Sequence, residues 1–329
     1  MIRPAALYGG LAALCAALFA LSLMIGPAGI GWGEGLVALV VPSDGPATMV
    51  MREIRLPRAL LGGMLGAALG LSGAALQGYL RNPLAEPGLI GVSASAALGA
   101  VLAIQLGLAG AFALGLPLAA LAGAGAAVLG ILALAGPRGT ALTLILAGVA
   151  LSALAGALTS LVLNLSPSPF AAAEIVFWMM GSLADRSMTH VWLAAPFMVL
   201  GAVLLLPTGR ALDALTLGED AAEAMGVRLV RLRLMLVIGV AAAVGAGTAV
   251  AGAVGFVGLV VPHLLRPLVG ARPSALLIAS ALGGAAMVLA ADVAVRVILP
   301  ERDLKLGVVT ALIGAPFFFH LIWRLRGRL

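Results

Sequence analysis

Charged side chains are scarce in this chain of 329 residues. They make up 10% of it, whereas a soluble domain of ordinary composition is about a quarter charged. A water-soluble fold of this length could not cover its surface with so few charges, so the composition predicts an integral membrane protein. Aromatic residues are also few, at 5%, while glycine reaches 44 residues. Small residues must therefore form many of the helix contacts, as in closely packed bilayer helices.

Several kinds of chemistry lack the residues that they need. Cys15 is the one cysteine, which excludes a disulfide framework and a cysteine-based metal site. The single lysine, Lys305, precedes Leu306, so no P-loop of the form G-x-x-x-x-G-K-[ST] can exist. The three histidines lie far apart, without metal-ligand spacing. We therefore expect no catalytic residue, metal or cofactor in this chain, and we assign the basic residues to membrane topology rather than nucleic-acid binding.

Ten apolar runs follow one another along the chain, separated by polar, proline or glycine breaks. Because they show no strand-like alternation, we interpret them as helices. The predicted spans cover residues 5–26, 59–80, 89–108, 112–135, 141–163, 190–207, 234–254, 256–269, 275–298 and 306–324. A short re-entrant or surface helix is expected between Ser166 and Ser187. The sequence thus predicts an all-α membrane protein of about ten transmembrane helices, forming a single domain over residues 1–329.

An even number of spans leaves both termini on the same side of the membrane. With both termini in the cytoplasm, most of the 19 basic residues fall on the inner side, as the positive-inside rule requires. The main exception is a cluster of Arg52, Arg55 and Arg58, which lies on the outer side directly before the second span. Because this cluster opposes the usual rule for insertion, we expect it to serve another purpose.

Small residues recur every four positions in the second span. Gly62, Gly66, Gly70, Ala74 and Gly78 form a strip along one face of that helix. Such a strip is typical of close packing, and it also suits a central helix beside a transport pathway. The two interpretations are compatible.

A polar, kinked link follows the second span. Asn82-Pro83 and Glu86-Pro87 interrupt the helix twice within six residues. A link of this kind suits a gate on the inner side, and it equally suits a plain turn.

The longest inner segment, residues 208–233, is rich in acidic residues. A short helix is predicted from Glu219 to Met225, with acids in its first turn, where the helix dipole favours them, and Gly226 at its end. A short helix outside the membrane could dock another protein. A solvated loop is the alternative.

Six motifs together resemble one family of proteins. They are RLPRALLGGMLGAALGLSGAALQGYLRNPLAEPGLIGV (55–92), LILAGVAL (144–151), FWMMGSL (177–183), LGEDAAEAMGV (217–227), GFVGLVVPHLLR (255–266) and GVVTALIGAPFF (307–318). In this order they resemble the permeases of the FecCD type, the membrane subunits of ATP-driven importers for ferric siderophores, haem and vitamin B12.

The resemblance implies the architecture of a type II ABC importer permease in the bacterial inner membrane. It implies a homodimer that binds two cytoplasmic ATPase subunits, which carry ATP and magnesium, and one periplasmic substrate-binding protein. An iron chelate, either a ferric siderophore or haem, is the expected cargo, and vitamin B12 is the alternative. A secondary transporter is a further alternative, although Asp292 is the only carboxylate well inside a predicted span.

The resemblance also implies roles for individual residues. The arginines expected to dock the binding protein are Arg55, Arg58 and Arg296. The residues expected to form a cytoplasmic gate are Asn82, Pro83, Leu84, Thr140 and Ala141. The residues expected to couple the chain to the ATPase are Leu217, Gly218, Glu219, Asp220, Ala221, Glu223, Ala224 and Gly226.

Overall fold

The computed structural model describes residues 4–136, 139–166, 168–298 and 304–326. All regular secondary structure in these residues is helical. The α-helices are α1 (Pro4–Met24), α2 (Trp32–Val40), α3 (Pro46–Met49), α4 (Leu56–Tyr79), α5 (Val92–Gln105), α6 (Leu108–Ala111), α7 (Gly115–Ala135), α8 (Ala141–Asn164), α9 (Pro169–Met179), α10 (Met188–Leu205), α11 (Gly209–Leu215), α12 (Glu219–Ala224), α13 (Leu229–Ala251), α14 (Val257–Leu265), α15 (Pro273–Ile298) and α16 (Leu306–Arg326). A π-helical turn covers Val50–Arg55, and 3-10 turns cover Pro87–Ile90, Leu206–Thr208 and Arg266–Val269.

Each of the ten predicted spans is a helix. In chain order they are α1, α4, α5, α7, α8, α10, α13, α14, α15 and α16. Among the described residues, seven helical segments are long and apolar enough to cross a membrane, and α5, α14 and the apolar part of α16 are shorter. The short helix expected between Ser166 and Ser187 is α9. These findings confirm the all-α membrane class.

The region before α4 contains more helix than the sequence predicts. The second span is expected to begin at residue 59, whereas one continuous helical segment runs from Pro46 to Tyr79. A π-helical turn precedes Pro57, and there the amide of Leu56 donates to the carbonyl of Met51. Because proline cannot donate a backbone hydrogen bond and crowds the preceding turn, this wider turn lets the helix continue past Pro57. The helix α2 also lies in this region, and no span or helix was predicted there.

The strip of small residues brings α4 against its neighbours. A Cβ atom added at Gly66 would meet the backbone of Gly284 in α15, and one added at Gly70 would meet the backbone of Ser280. The helices α4 and α15 therefore approach backbone to backbone, which only glycine permits at these positions. Because α4 and α13 are also the most buried of the candidate spans, α4 is a central helix, as the strip predicts.

The helix α4 joins two ends of the bundle that differ in character. At its start, Arg55 contacts the last turn of α1 and Arg58 contacts α15, so we call this the α2 end. At its finish, Gly78 lies beside Leu212 of α11, which leads into α12, so we call this the α12 end. Between the two ends, large apolar side chains such as Leu129, Leu154 and Val203 are exposed, as expected for surfaces that face lipid.

Candidate functional site

The short acidic helix α12 projects its side chains away from the bundle. Leu217 and Met225, on either side of it, are 69% and 65% exposed, and Glu219, Asp220 and Glu223 are exposed as well. Only Ala222 is fully buried within this helix. Gly218 and Gly226 flank it with φ angles of 107° and 87°, a region of backbone space that favours glycine. The structure therefore confirms the predicted short helix and the position of Gly226 at its end.

The base of α12 is fixed to the bundle through α11. Asp213 accepts hydrogen bonds from the amide and hydroxyl of Ser274, at 2.8 and 2.6 Å, and forms an ion pair with Arg272 at 3.0 Å. These bonds join α11 to the first turn of α15, whose free amides need acceptors. A force on α12 would thus reach α15, and through it α4.

The residues of the predicted gate all lie at the α12 end. Asn82 accepts a hydrogen bond from the amide of Leu84 at 2.9 Å, which stabilises the turn after α4. Thr140 caps the start of α8 by accepting a hydrogen bond from the amide of Thr143. Among the described residues, no hydrogen bond joins the Asn82–Leu84 turn to Thr140 or Ala141. Their role as a gate stays a prediction.

Two interrupted stretches of backbone meet inside the bundle, a contact that the sequence reading missed. The link before α5 contains Glu86 and Pro87, and the link between α13 and α14 contains Phe256, which has a φ of 66° despite its side chain. Glu86 lies near the backbone of Phe256, and Pro87 lies against Gly258. A small cavity separates the two links, and Ala253 and Gly255 remain exposed beside it. Paired helix breaks of this kind are typical of transport pathways.

The arginines before α4 bind carbonyl groups at the ends of neighbouring helices. Arg55 is only 3% exposed and donates to the carbonyls of Leu23 and Met24, at 3.0 and 2.9 Å, in the last turn of α1. Arg52, which is partly exposed, donates to the carbonyl of Leu39 at 2.7 Å, in the last turn of α2. Because the last carbonyls of a helix lack partners and carry partial negative charge, both arginines stabilise these helix ends.

A buried carboxylate joins the other two arginines. Asp292 is 1% exposed and forms ion pairs at 2.8 Å with Arg58 and with Arg296. Arg296 also donates to the carbonyls of Ser22 and Ile25 at 2.8 and 2.7 Å. The bond between Arg58 and Asp292 links α4 to α15, the bond between Arg296 and Asp292 lies within α15, and the bond from Arg296 to Ser22 adds α1. We call Arg55, Arg58, Asp292 and Arg296 the arginine lock.

The arginine lock gives the predicted docking residues an intramolecular role that their sequence pattern does not reveal. The side chains of Arg58 and Arg296 are 17% and 8% exposed, so most of each guanidinium is turned into the protein. The four side chains of the lock carry a net positive charge, while Glu34, Asp44 and Glu53 are exposed at the same end. Docking of a partner by these arginines therefore stays a prediction, and Arg58 is the most accessible of the three.

The described residues contain no group of three or more His, Cys, Asp or Glu side chains arranged to hold a metal ion. The features that remain are an exposed acidic helix at one end, a positive lock at the other and paired helix breaks between them. On a bundle of membrane helices, these features define a multi-pass permease.

Comparison with known proteins assigns this permease to a family. The chain belongs to the FecCD transport family, which it matches over residues 14–324. It is 40% identical to the Fe(3+) dicitrate transport system permease protein FecD of Escherichia coli, over 84% of this chain and 86% of the relative. It is 39% identical to the cobalamin import system permease protein BtuC of Halobacterium salinarum, over 89% of this chain and 80% of the relative.

A solved structure has the same fold over almost the whole chain. It is described as an inward-facing conformation of a putative metal-chelate type ABC transporter, and it is 35% identical in sequence with a TM-score of 0.85. The match covers 98% of this chain and 100% of the solved one. The architecture is therefore that of an ABC importer permease, and the resemblance found from the sequence motifs is confirmed.

Proposed function

We propose that this permease moves an iron chelate, either a ferric siderophore or haem, from the periplasm to the cytoplasm. Membership of the FecCD transport family carries the proposal. It is supported by the relative named for Fe(3+) dicitrate and by the structural match described as a metal-chelate transporter. The chain acts as a transport subunit rather than as an enzyme, and a separate ATPase supplies the energy.

The partners follow from the two ends of the bundle. A homodimer of this chain binds two ATPase subunits, one at each α12, and these subunits carry ATP and magnesium. The exposed side chains of Leu217, Glu219 and Glu223 form the contact, and Asp213 passes the movement on to α15. One periplasmic binding protein docks at the α2 end and delivers the cargo.

The α12 end faces the cytoplasm in this proposal, and so do both termini. Exposed arginines, including Arg81, Arg210, Arg228 and Arg231, are concentrated at this end, in agreement with the positive-inside rule. The protein then lies in the bacterial inner membrane. Movement of Asn82, Pro83 and Leu84 relative to Thr140 and Ala141 opens the inner exit when ATP binds to the partner.

The net positive charge of the arginine lock supports electrostatic docking of the binding protein. Such docking weakens as salt screens the charges, so the affinity of the wild-type permease for its binding protein should fall with ionic strength. Charge reversal should be made on the binding protein, because a change to Arg55 or Arg58 would also break the arginine lock. An affinity that is independent of salt would contradict docking by these arginines.

The cargo is tested with the periplasmic binding protein that docks on this permease. Titration with a ferric siderophore, with haem and with cobalamin should show tight binding of one of the two iron chelates. Proteoliposomes that contain the permease and its ATPase should then accumulate that chelate only when ATP is supplied. Binding of cobalamin alone would instead support the alternative of a vitamin B12 permease, which the relative named BtuC favours. Uptake without ATP would indicate a secondary transporter.

A further inference from the structure

Three arginines surround a pocket beside the end of α12. Arg210 of α11, Arg228 before α13 and Arg231 of α13 line a cavity of about 340 Å³ that is open to the surface. Met225 and Val227, which follow α12, form another wall, and Met235 lies at its inner side. We call this cavity the arginine pocket.

The charges in the arginine pocket are not neutralised within the described chain. All three side chains are exposed, and the ion pairs formed by the described residues involve other arginines, namely Arg58, Arg272 and Arg296. The carboxylates of Glu219, Asp220 and Glu223 on α12 form no ion pair with them either. Three arginines that line one cavity without an ion-pair partner favour a ligand that carries negative charge, above all a phosphate group.

The position of the pocket restricts the kind of anion. The pocket lies where two candidate membrane spans end, the segment Met188–Leu215 and the helix α13. Its walls are partly apolar, because Met225, Val227 and Met235 contribute to them. A site at the membrane surface with a basic rim and an apolar wall suits an amphiphile rather than a soluble ion.

A continuous face of α13 connects the arginine pocket to an apolar crevice within the membrane-spanning part. Arg231, Met235, Ile238 and Ala242 follow one another at spacings of four, three and four residues, so they share one helix face. The first two line the arginine pocket, and the last two line a crevice of about 600 Å³ between α7, α10 and α13. The crevice walls are almost entirely apolar, and Ile238 is exposed.

We propose that an acidic phospholipid of the leaflet at the α12 end binds here. The arginine pocket holds its phosphate headgroup, and an acyl chain follows the face of α13 into the crevice. Since Met225, Gly226 and Val227 line the same pocket, the bound headgroup contacts the residues that end α12 and steadies its position. The lipid site depends on the chain lying in a bilayer, and it is independent of the cargo proposed above.

The site is tested by native mass spectrometry of the purified full-length chain after exchange into mixtures of phosphatidylglycerol and phosphatidylcholine. The wild type should retain phosphatidylglycerol over phosphatidylcholine by at least about tenfold, given the attraction of several basic side chains for acidic lipid. The double variant Arg228→Gln with Arg231→Gln should lose most of this preference. In a matched pair of single variants, Arg231→Gln should weaken the preference, whereas Arg81→Gln removes the same charge at the same end outside the pocket and should keep it.

A second pair of variants tests the crevice. Gly125 lines it, and a Cβ atom added there meets nothing within 4 Å, so Gly125→Leu places a branched side chain in the crevice without a clash at its Cβ. Gly156 of α8 is equally open but lies outside the crevice, which makes Gly156→Leu the matched control. Only Gly125→Leu should shorten the retention of long-chain phosphatidylglycerol.

Several results would overturn the proposal. Equal retention of the two lipids by the wild type would exclude an acidic lipid site, and an unchanged preference in the double glutamine variant would exclude these arginines. Displacement of the lipid by inorganic phosphate at millimolar concentration would instead indicate a site for a soluble anion. Complete displacement by saturating ATPase subunit would assign the arginines to the protein interface.

Discussion

The arginines at the two ends of the bundle have opposite surroundings. At the α2 end, Arg55 and Arg296 are buried and bind the carbonyls of α1, while Asp292 neutralises part of their charge. At the α12 end, Arg228 and Arg231 are exposed and form no ion pair within the described chain. All four arginines lie near the end of a candidate membrane span. Their different burial indicates that the first group holds helices together, whereas the second is available to bind other molecules.

The largest effect is expected when the buried carboxylate of the arginine lock is removed. Asp292→Asn leaves Arg58 and Arg296 without a counter-ion in a buried position, so it should destabilise the protein by about 3–5 kcal/mol. Thermal unfolding in detergent would measure the loss. Asp213→Asn is the control at the other end, because its partner Arg272 is 70% exposed and such pairs contribute at most about 1 kcal/mol. The side-chain oxygen of the asparagine can still accept the hydrogen bond from the amide of Ser274. Equal losses for the two variants would contradict the distinction between the ends.

The next largest loss of stability is expected at the contact between α4 and α15, which positions the arginine lock. Gly70→Ala adds a Cβ atom that meets the backbone of Ser280, so α4 and α15 must separate, at a cost of about 1–3 kcal/mol. The same substitution at Gly125, where nothing lies within 4 Å, should be neutral or slightly stabilising. Thermal unfolding of both variants measures the difference. A loss at Gly125 as large as at Gly70 would show that the effect comes from glycine replacement in general.

The smallest effect on stability is expected at the exposed arginines. Arg228→Gln with Arg231→Gln removes no side-chain hydrogen bond or ion pair within the described chain, so the unfolding free energy should change by less than about 0.5 kcal/mol per substitution. Their effect should appear in lipid retention rather than in thermal unfolding. A loss of stability comparable to that of Asp292→Asn would show that these arginines also hold the fold together.

The spans and the acidic helix could be predicted from the sequence because their signals are local. Long apolar runs and the flanking glycines, Gly218 and Gly226, depend only on neighbouring residues. The partners of Arg55 and Arg58 could not be predicted in this way, because Leu23 and Asp292 lie far away along the chain. One signal was present, since the isolated carboxylate of Asp292 inside a span required a cation at the same depth.

The sequence also failed to predict the early start of the second helical segment, for a different reason. Polar and charged residues from Arg52 to Arg58, together with Pro57, are typical of a loop. The π-helical turn accommodates the proline, and the arginines find acceptors at the ends of α1 and α2. The helix there depends on tertiary partners, which a local pattern does not contain.

The central claim is that the α12 end binds an ATPase, and co-purification of that ATPase tests it most directly. Glu219→Lys with Gly226→Val should abolish co-purification, because it reverses a charge on the exposed face and strains the backbone at a φ of 87°. The matched control, Glu34→Lys with Gly33→Val on α2, changes two exposed residues at the other end and should leave the ATPase bound. Equal retention of the ATPase by both double variants would contradict the account.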